Sequence, residues 1–353
     1  MSLTRCIAGS LNVRVYCRRQ LLSCCRDRER RRTGPAAVRA SSTSAQHRAG
    51  VNTSTKMYIA EERGSEYSPD YRVYFKDEGG PISVLHDVPL WADRARRLVN
   101  MVVEVPRWSN AKMEISLGEP LNPIKQDVKR GALRYVANVF PHRGYIWNYG
   151  ALPQTWENPH HVDPATQARG DNDPVDVIEI GQRVARRGDI YPVKVLGALA
   201  LIDEGETDWK LVAIDARDAD AAKLRDIGDV EGLYPGLMRA TVEWFRLYKV
   251  PDGKPVNNFA FDGEAKDADF AYKVIDEVRL VTCRVGCRMN VSVEKSEGRV
   301  ERAEAAAVVA RAPPRQPPAD LPPQGIPTYV VLLAHVLHVT SYLTSRISSV
   351  CFS

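Results

Sequence analysis

Between Cys25 and Cys283 this 353-residue chain has no cysteine. Without paired thiols the middle is no disulfide-stapled scaffold, and it suits a reducing compartment. The seven cysteines lie toward the two ends, and Cys283-x-x-x-Cys287 is a lone pair, too little for a metal signature. Acids are nearly missing from residues 1–56, where Asp27 and Glu29 stand against 12 Lys and Arg, a net charge of +10. A leader rich in Arg and Ser and poor in acid has the composition of an organellar transit peptide. Its run Val38-Arg39-Ala40-Ser41-Ser42-Thr43-Ser44 reads like a plastid processing region. Residues 1–56 are therefore expected to be a disordered targeting segment for a chloroplast, or alternatively a mitochondrion. No apolar run in this leader is long enough to span a bilayer, and no internal repeat is visible anywhere.

The +5 charge of the whole chain conceals a reversal. Residues 279–353 carry +4, whereas residues 57–278 hold 28 Lys and Arg against 37 Asp and Glu, a net of −9. A nucleic-acid binder presents a basic face; an acidic middle collects cations instead. Its densest stretch is Gly170-Asp171-Asn172-Asp173-Pro174-Val175-Asp176-Val177, with carboxylates at i, i+2 and i+5. On an extended backbone Asp171 and Asp173 face one side. Pro174 fixes φ and removes a donor, which lets Asp176 turn back toward the same place. Three such charges together are costly without a cation, and a hard divalent metal with oxygen ligands relieves them. The plain alternative is a polar turn before a strand.

Short β-rich segments with Gly and Pro between them are expected as strands over residues 71–76, 99–106, 111–117, 133–139, 178–180, 190–203 and 212–215. This pattern suggests a closed barrel. Helices are expected over 229–233, 235–249 and 265–278. In the alternating segment 111–117, Lys112 and Glu114 share a face. The acidic loop Asp203-Glu204-Gly205-Glu206-Thr207-Asp208-Trp209-Lys210 ends the longest strand, with Gly205 permitting a tight turn; taken alone it reads as solvated surface. Lys112, Arg134, Tyr145, Tyr149, Tyr248 and Lys249 are candidate phosphate binders, and with metals they would form a phosphoryl-transfer site. No Cys or Ser nucleophile arrangement stands out, so direct attack by water is the simpler chemistry.

The Gly170–Val177 stretch matches the Asp-x-Asp-Pro-x-Asp signature of family I soluble inorganic pyrophosphatases. The chain resembles their eukaryotic branch in one register from residue 71 to 277. The segments that carry this are 100–108, 144–150, 153–157, 203–210, 235–241, 248–254 and 259–266. The resemblance implies a mainly β, α+β single domain over 57–278: an OB-like five-stranded closed barrel with flanking helices. It implies Mg²⁺-dependent hydrolysis of diphosphate to two phosphates, with several ions per site. Asp171, Asp176 and Asp208 are implied as ligands of the tightest metal, with Asp176 bridging to a second. Asp203 joins Asp208 on an ion that arrives with substrate, and Glu114 supports a further metal and water network. Asp173 is the implied general base. Lys112, Arg134, Tyr145, Tyr248 and Lys249 hold the phosphates, and Glu104, Tyr149, Glu157, Lys210 and Lys254 stand behind these groups. The expected partner is diphosphate, without nucleic acid or membrane. The family's eukaryotic members are usually homodimers, and Arg107-Trp108 match a segment used at that interface; Arg143 stands where a His is expected, and a monomer remains open. The alternative is a non-catalytic polyanion-binding barrel or an inactive product of an altered gene.

Beyond Glu277 the resemblance stops. Residues 279–353 are expected to be an atypical, disordered extension of altered origin, such as translated intron. Residues 297–325 are rich in Ala, Arg, Glu and Pro. Residues 326–343 are apolar and near spanning length, but interrupted by His and Pro.

Overall fold

The run Leu98-Val99-Asn100-Met101-Val102-Val103-Glu104-Val105 is apolar at six of eight positions, and the strand it forms, β1 (Leu98–Val105), is buried along its whole length. A strand covered on both faces belongs at the centre of a fold. The computed structural model describes residues 57–279 and 302–318, all within one compact unit. The leader 1–56 and the apolar stretch 326–343 lie outside the described residues.

Around β1 a five-stranded ring closes. It comprises β2 (Asn148–Ala151), β3 (Asp176–Glu179), β4 (Ile190–Asp203) and β5 (Glu206–Asp215). β1 runs antiparallel to β2, pairing Val103 with Gly150, and β2 runs antiparallel to β3, pairing Gly150 with Val177. β3 lies parallel to β5, with Asp176 opposite Lys210; β5 returns antiparallel to β4, and β4 antiparallel to β1. Closure leaves these strands no free edges, and the mainly β barrel expected from the sequence is the one observed. Gly150 is required for it, since a Cβ there would lie 1.9 Å from the Val102 carbonyl oxygen. Consecutive barrel residues go to different apolar clusters: Val102, Ile178 and Val212 to one, Val103, Val177 and Leu211 to the other.

Two strand expectations are corrected. β5 begins at Glu206 rather than 212, because Glu204 (φ 52°) and Gly205 (φ 95°) close a two-residue turn. Positive φ at both positions matches the twist of a hairpin, so Thr207–Lys210 enter the sheet and are buried. Of residues 133–139 only Leu133 lies in a strand, Ala132–Leu133. Asn110 and Asn138 take over there: Asn110 Nδ2 donates to Val136 O (2.8 Å) and to Asn138 Oδ1, which also accepts Gly144 N–H at 2.9 Å. Such side-chain bonds compete with ladder pairing.

Outside the barrel, α1 (Leu237–Leu247) buries Thr241, Trp244 and Phe245. α2 (Ala268–Glu277) is capped by Asp267, whose carboxylate accepts Phe270 N–H at 2.8 Å. Its Ala268, Ala271, Tyr272 and Ile275, at helical spacing, are buried. A second sheet is built from Ile59–Arg63, Arg72–Asp77, Gly80–Ile82, Met113–Ile115 and Ile124–Gln126. It is tied to β1 by Glu104 Oε1, which accepts Ile115 N–H at 2.7 Å.

The disorder expected over 297–325 does not hold for 302–318. Arg302–Arg311 forms helix α3, since the alanines that look like low complexity are also the strongest helix formers. Ala305 and Val309, one turn apart, are buried against Tyr74 and Leu121. The chain then continues against the second sheet, with Gly64 N–H on Pro313 O (3.0 Å) and Gln316 N–H on Gly64 O (2.9 Å).

Candidate active site

Strand ends deliver the polar groups to one cavity of about 280 Å³. The barrel contributes Glu104 from β1, Tyr149 from β2, Asp176 from β3, Asp203 from β4, and Asp208 with Lys210 from β5. Glu114 comes from the Met113–Ile115 strand of the second sheet and Lys112 from the residue just before that strand, the two paired at 2.6 Å. Arg134 and Tyr145 come from connecting segments, and Tyr248 and Lys249 from the end of α1. Tyr248 OH donates to Asp203 Oδ2 at 3.0 Å and Lys249 Nζ to Asp203 Oδ1 at 2.5 Å, so the helix end is fastened to the β4–β5 hairpin.

Asp171 and Asp173 reach the cavity by a different route from the extended one expected. Asn172 is left-handed (φ 78°), and the Asp173 N–H folds back onto Asp171 Oδ1 at 2.9 Å. Asn and Asp tolerate this conformation, and both carboxylates still line the cavity. Asp176 is held from below: Tyr149 OH and Lys210 Nζ both donate to its Oδ2, and Lys210 also donates to Asp208 Oδ1 at 2.5 Å.

Of the residues expected at the site, two do not line the cavity. Lys254 lies off it, paired with Glu204 at 2.8 Å. Glu157 lies behind it, and its carboxylate comes within 4.8 Å of those of Asp171 and Asp208. Among the described residues these three carboxylates form a group compact enough for one ion; Asp176, also on the cavity, accepts from Lys210 and Tyr149. Glu204 and Glu206 line the cavity too. Nothing but the hairpin turn beside them signalled this in the sequence.

The electrostatics follow from the count of charges. Nine carboxylates line the cavity against four cationic side chains, so the acids repel one another. Burial, then the charges of Asp208 and Asp173, pushes Asp171 up to about 9. Burial raises Asp208 to about 7, with Asp176 adding to the shift and Lys210 opposing it. Burial and the Asp171 charge hold Glu157 well above the usual carboxylate range. Burial also lifts Tyr145 to about 12, leaving its hydroxyl protonated as a donor. Glu157 Oε2 is buried without a hydrogen-bond partner. An oxygen-only donor set with an orphaned carboxylate oxygen fits a hard divalent cation such as Mg²⁺ or Ca²⁺, whose charge reverses these shifts.

The family model for inorganic pyrophosphatase matches residues 101–280. A Drosophila melanogaster protein named inorganic pyrophosphatase is 64% identical over 222 residues, covering 63% of this chain and 66% of that one. The chain thus spans just under two thirds of that relative's length. The solved structure of inorganic pyrophosphatase from Schistosoma japonicum is 48% identical and covers 75% of this chain and 97% of its own, at a TM-score of 0.67. An N-terminally truncated vacuolar soluble pyrophosphatase from Trypanosoma cruzi, solved in complex with PPi, is 42% identical. That match covers 70% of this chain and 95% of the other, at a TM-score of 0.59.

Proposed function

The chain belongs to the inorganic pyrophosphatase family, and from that premise we propose that it hydrolyses inorganic diphosphate to two phosphates, with Mg²⁺ as its cation. The observation that carries this is the opposition of charges within one cavity. Carboxylates including Asp171 and Asp208 line it together with Lys112, Arg134 and Lys249 and the hydroxyl-bearing Tyr145 and Tyr248. A bare polyanion would be repelled by nine acids; one that arrives with divalent cations is matched to both kinds of group.

Asp171 and Asp208, with Glu157 behind them, would hold the first ion; Asp176, Asp203 and Glu114 supply oxygens for others. Bound there, Mg²⁺ neutralises diphosphate oxygens and lowers the pKa of coordinated water. Asp173, exposed at the rim beside Asp171, takes the proton of the attacking water. Lys112 and Lys249, resting on Glu114 and Asp203 in the free protein, exchange those carboxylates for phosphate oxygens. Arg134, Tyr145 and Tyr248 donate to the same oxygens and stabilise the departing phosphate.

Two further parts of this reading rest on sequence and surface. The Arg-rich leader 1–56 directs the chain to a plastid, and residues 57–278 form the catalytic domain. Trp108, 54% exposed in a left-handed conformation (φ 66°), together with Arg107 is the surface that a second copy of the chain covers in a homodimer.

The test is phosphate release from diphosphate with Mg²⁺ by the chain lacking residues 1–56, beside Asp173→Asn. Release by the parent and a loss of about 10²–10⁴-fold in the variant is the expected result. A folded parent that releases no phosphate would sink the proposal.

A further inference from the structure

The segment from Glu157 to Gly170 pairs with the start of β5 at Arg169 and Gly170, and three side-chain contacts fasten it further. Asp163 Oδ2 accepts the indole N–H of Trp209 at 3.0 Å. The Thr166 and Thr207 hydroxyls meet at 2.5 Å. The backbone N–H of Trp209 donates to Glu157 Oε1 at 3.0 Å. Asp163 is itself held, since its Oδ1 accepts the N–H groups of Ala165 (2.7 Å) and Thr166 (3.0 Å).

Trp209 stands between Asp208 and Lys210, and neighbouring strand residues point to opposite sides. Asp208 and Lys210 therefore face the cavity, while the Trp209 ring faces away from it, packed 5.6 Å from Phe270 and 1% exposed. The same residue's N–H grips one oxygen of Glu157; the other, Oε2, is buried and unpartnered, and the carboxylate comes within 4.8 Å of those of Asp171 and Asp208.

We propose that Asp163 is a positioning residue for the cation site: through Trp209 it holds the Glu157 carboxylate beside Asp171 and Asp208, where an ion would bind. This rests on the cation-dependent reading of the cavity. Asp163 touches neither ion nor substrate. Its effect passes along Asp163 Oδ2, the Trp209 indole, the Trp209 backbone and the Glu157 carboxylate, the kind of outer contact that orients ligands and tunes their affinity.

The test is calorimetric titration of Mg²⁺ into the metal-stripped full chain without substrate, for the parent, Trp209→Phe, Asp163→Ala, Asp163→Asn and the Trp209→Phe/Asp163→Ala double variant. Melting in EDTA is followed in parallel. Trp209→Phe deletes the indole donor and keeps an aromatic ring; Asp163→Asn keeps an acceptor. Trp209→Phe and Asp163→Ala should each weaken Mg²⁺ binding about tenfold. The double variant should be no weaker than either alone, because both cut one bond, and Asp163→Asn should recover most of the loss. Lower melting points with Mg²⁺ affinity within twofold of the parent would overturn the proposal and leave Asp163 a structural cap. Losses that multiply in the double variant would overturn it as well. A folded parent that takes up no Mg²⁺ would remove the reading of the cavity on which it depends.

Discussion

Lys210→Met tests the electrostatics of the cavity most directly. The Lys210 side chain is 3% exposed. Its ammonium contacts Asp176 Oδ2, Asp208 Oδ1 at 2.5 Å and the Tyr149 hydroxyl at 3.1 Å, and lies 5.4 Å from the centre of the Phe245 ring. Met fills the stem's place, so the change removes charge more than volume. Asp208, 5% exposed, then loses the one cation that offsets its burial. Removing one partner of a buried ion pair costs about 3–5 kcal/mol. At about 2–4 °C per kcal/mol for a domain of this size, melting in EDTA at pH 8 should fall by about 6–20 °C. Saturating Mg²⁺ should return much of it, because a ligand at a hundredfold over its Kd adds about 2.7 kcal/mol and in the variant meets no competing ammonium. The assay is thermal melting followed by circular dichroism, with and without Mg²⁺. A fall below 2 °C in EDTA, or a gap between parent and variant that Mg²⁺ leaves unchanged, would refute the argument.

Three other outcomes follow from particular contacts. Gly150→Ala places a Cβ 1.9 Å from the Val102 carbonyl oxygen, a backbone clash inside a closed ring, and should cost about 3 kcal/mol or prevent soluble expression; a melting curve decides. Glu119 accepts from Arg72 (2.6 and 3.0 Å) and Lys125 (2.9 Å). Burial alone would raise its pKa, but these bonds outweigh it and hold the carboxyl below its ordinary 4.5. Its contribution, about 1 kcal/mol, is therefore complete above pH 4.5 and lost as pH falls through the lower folded value. Urea midpoints of the parent and Glu119→Gln should differ at pH 7 and draw together as pH falls below 4.5; a gap that does not narrow in acid would contradict the ion-pair account. Val309→Asp puts a charge between Tyr74 and Leu121 and should release α3, lowering stability by about 1–3 kcal/mol and speeding hydrogen exchange at the Gly64 N–H, which is bonded to Pro313.

Local signals were enough for much of this molecule. The apolar run of β4, bounded by Asp189 and the Glu204-Gly205 turn, marked a strand whose ends the structure keeps at Ile190 and Asp203. The 3- and 4-residue spacing of Thr241, Trp244, Phe245 and Tyr248 marked the buried stripe of α1 and the helix end that carries Tyr248 and Lys249 to the cavity. The three aspartates of 171–176 read as a cation site because like charges that close need a reason, whatever the backbone between them does.

Sequence could not say which carboxylates share an ion. That depends on β3 lying parallel to β5 with Asp176 opposite Lys210, and on the fold bringing the Glu157 carboxylate within 4.8 Å of those of Asp171 and Asp208. Nor could composition distinguish an alanine-rich tail from a docked helix, since propensity is the same in both and only Tyr74 and Leu121 supply the surface that buries Ala305 and Val309. Residue types and spacing are written along the chain and decide which chemistry is affordable. Partner, register and burial are set between segments distant in sequence, so they exist only once the barrel has closed.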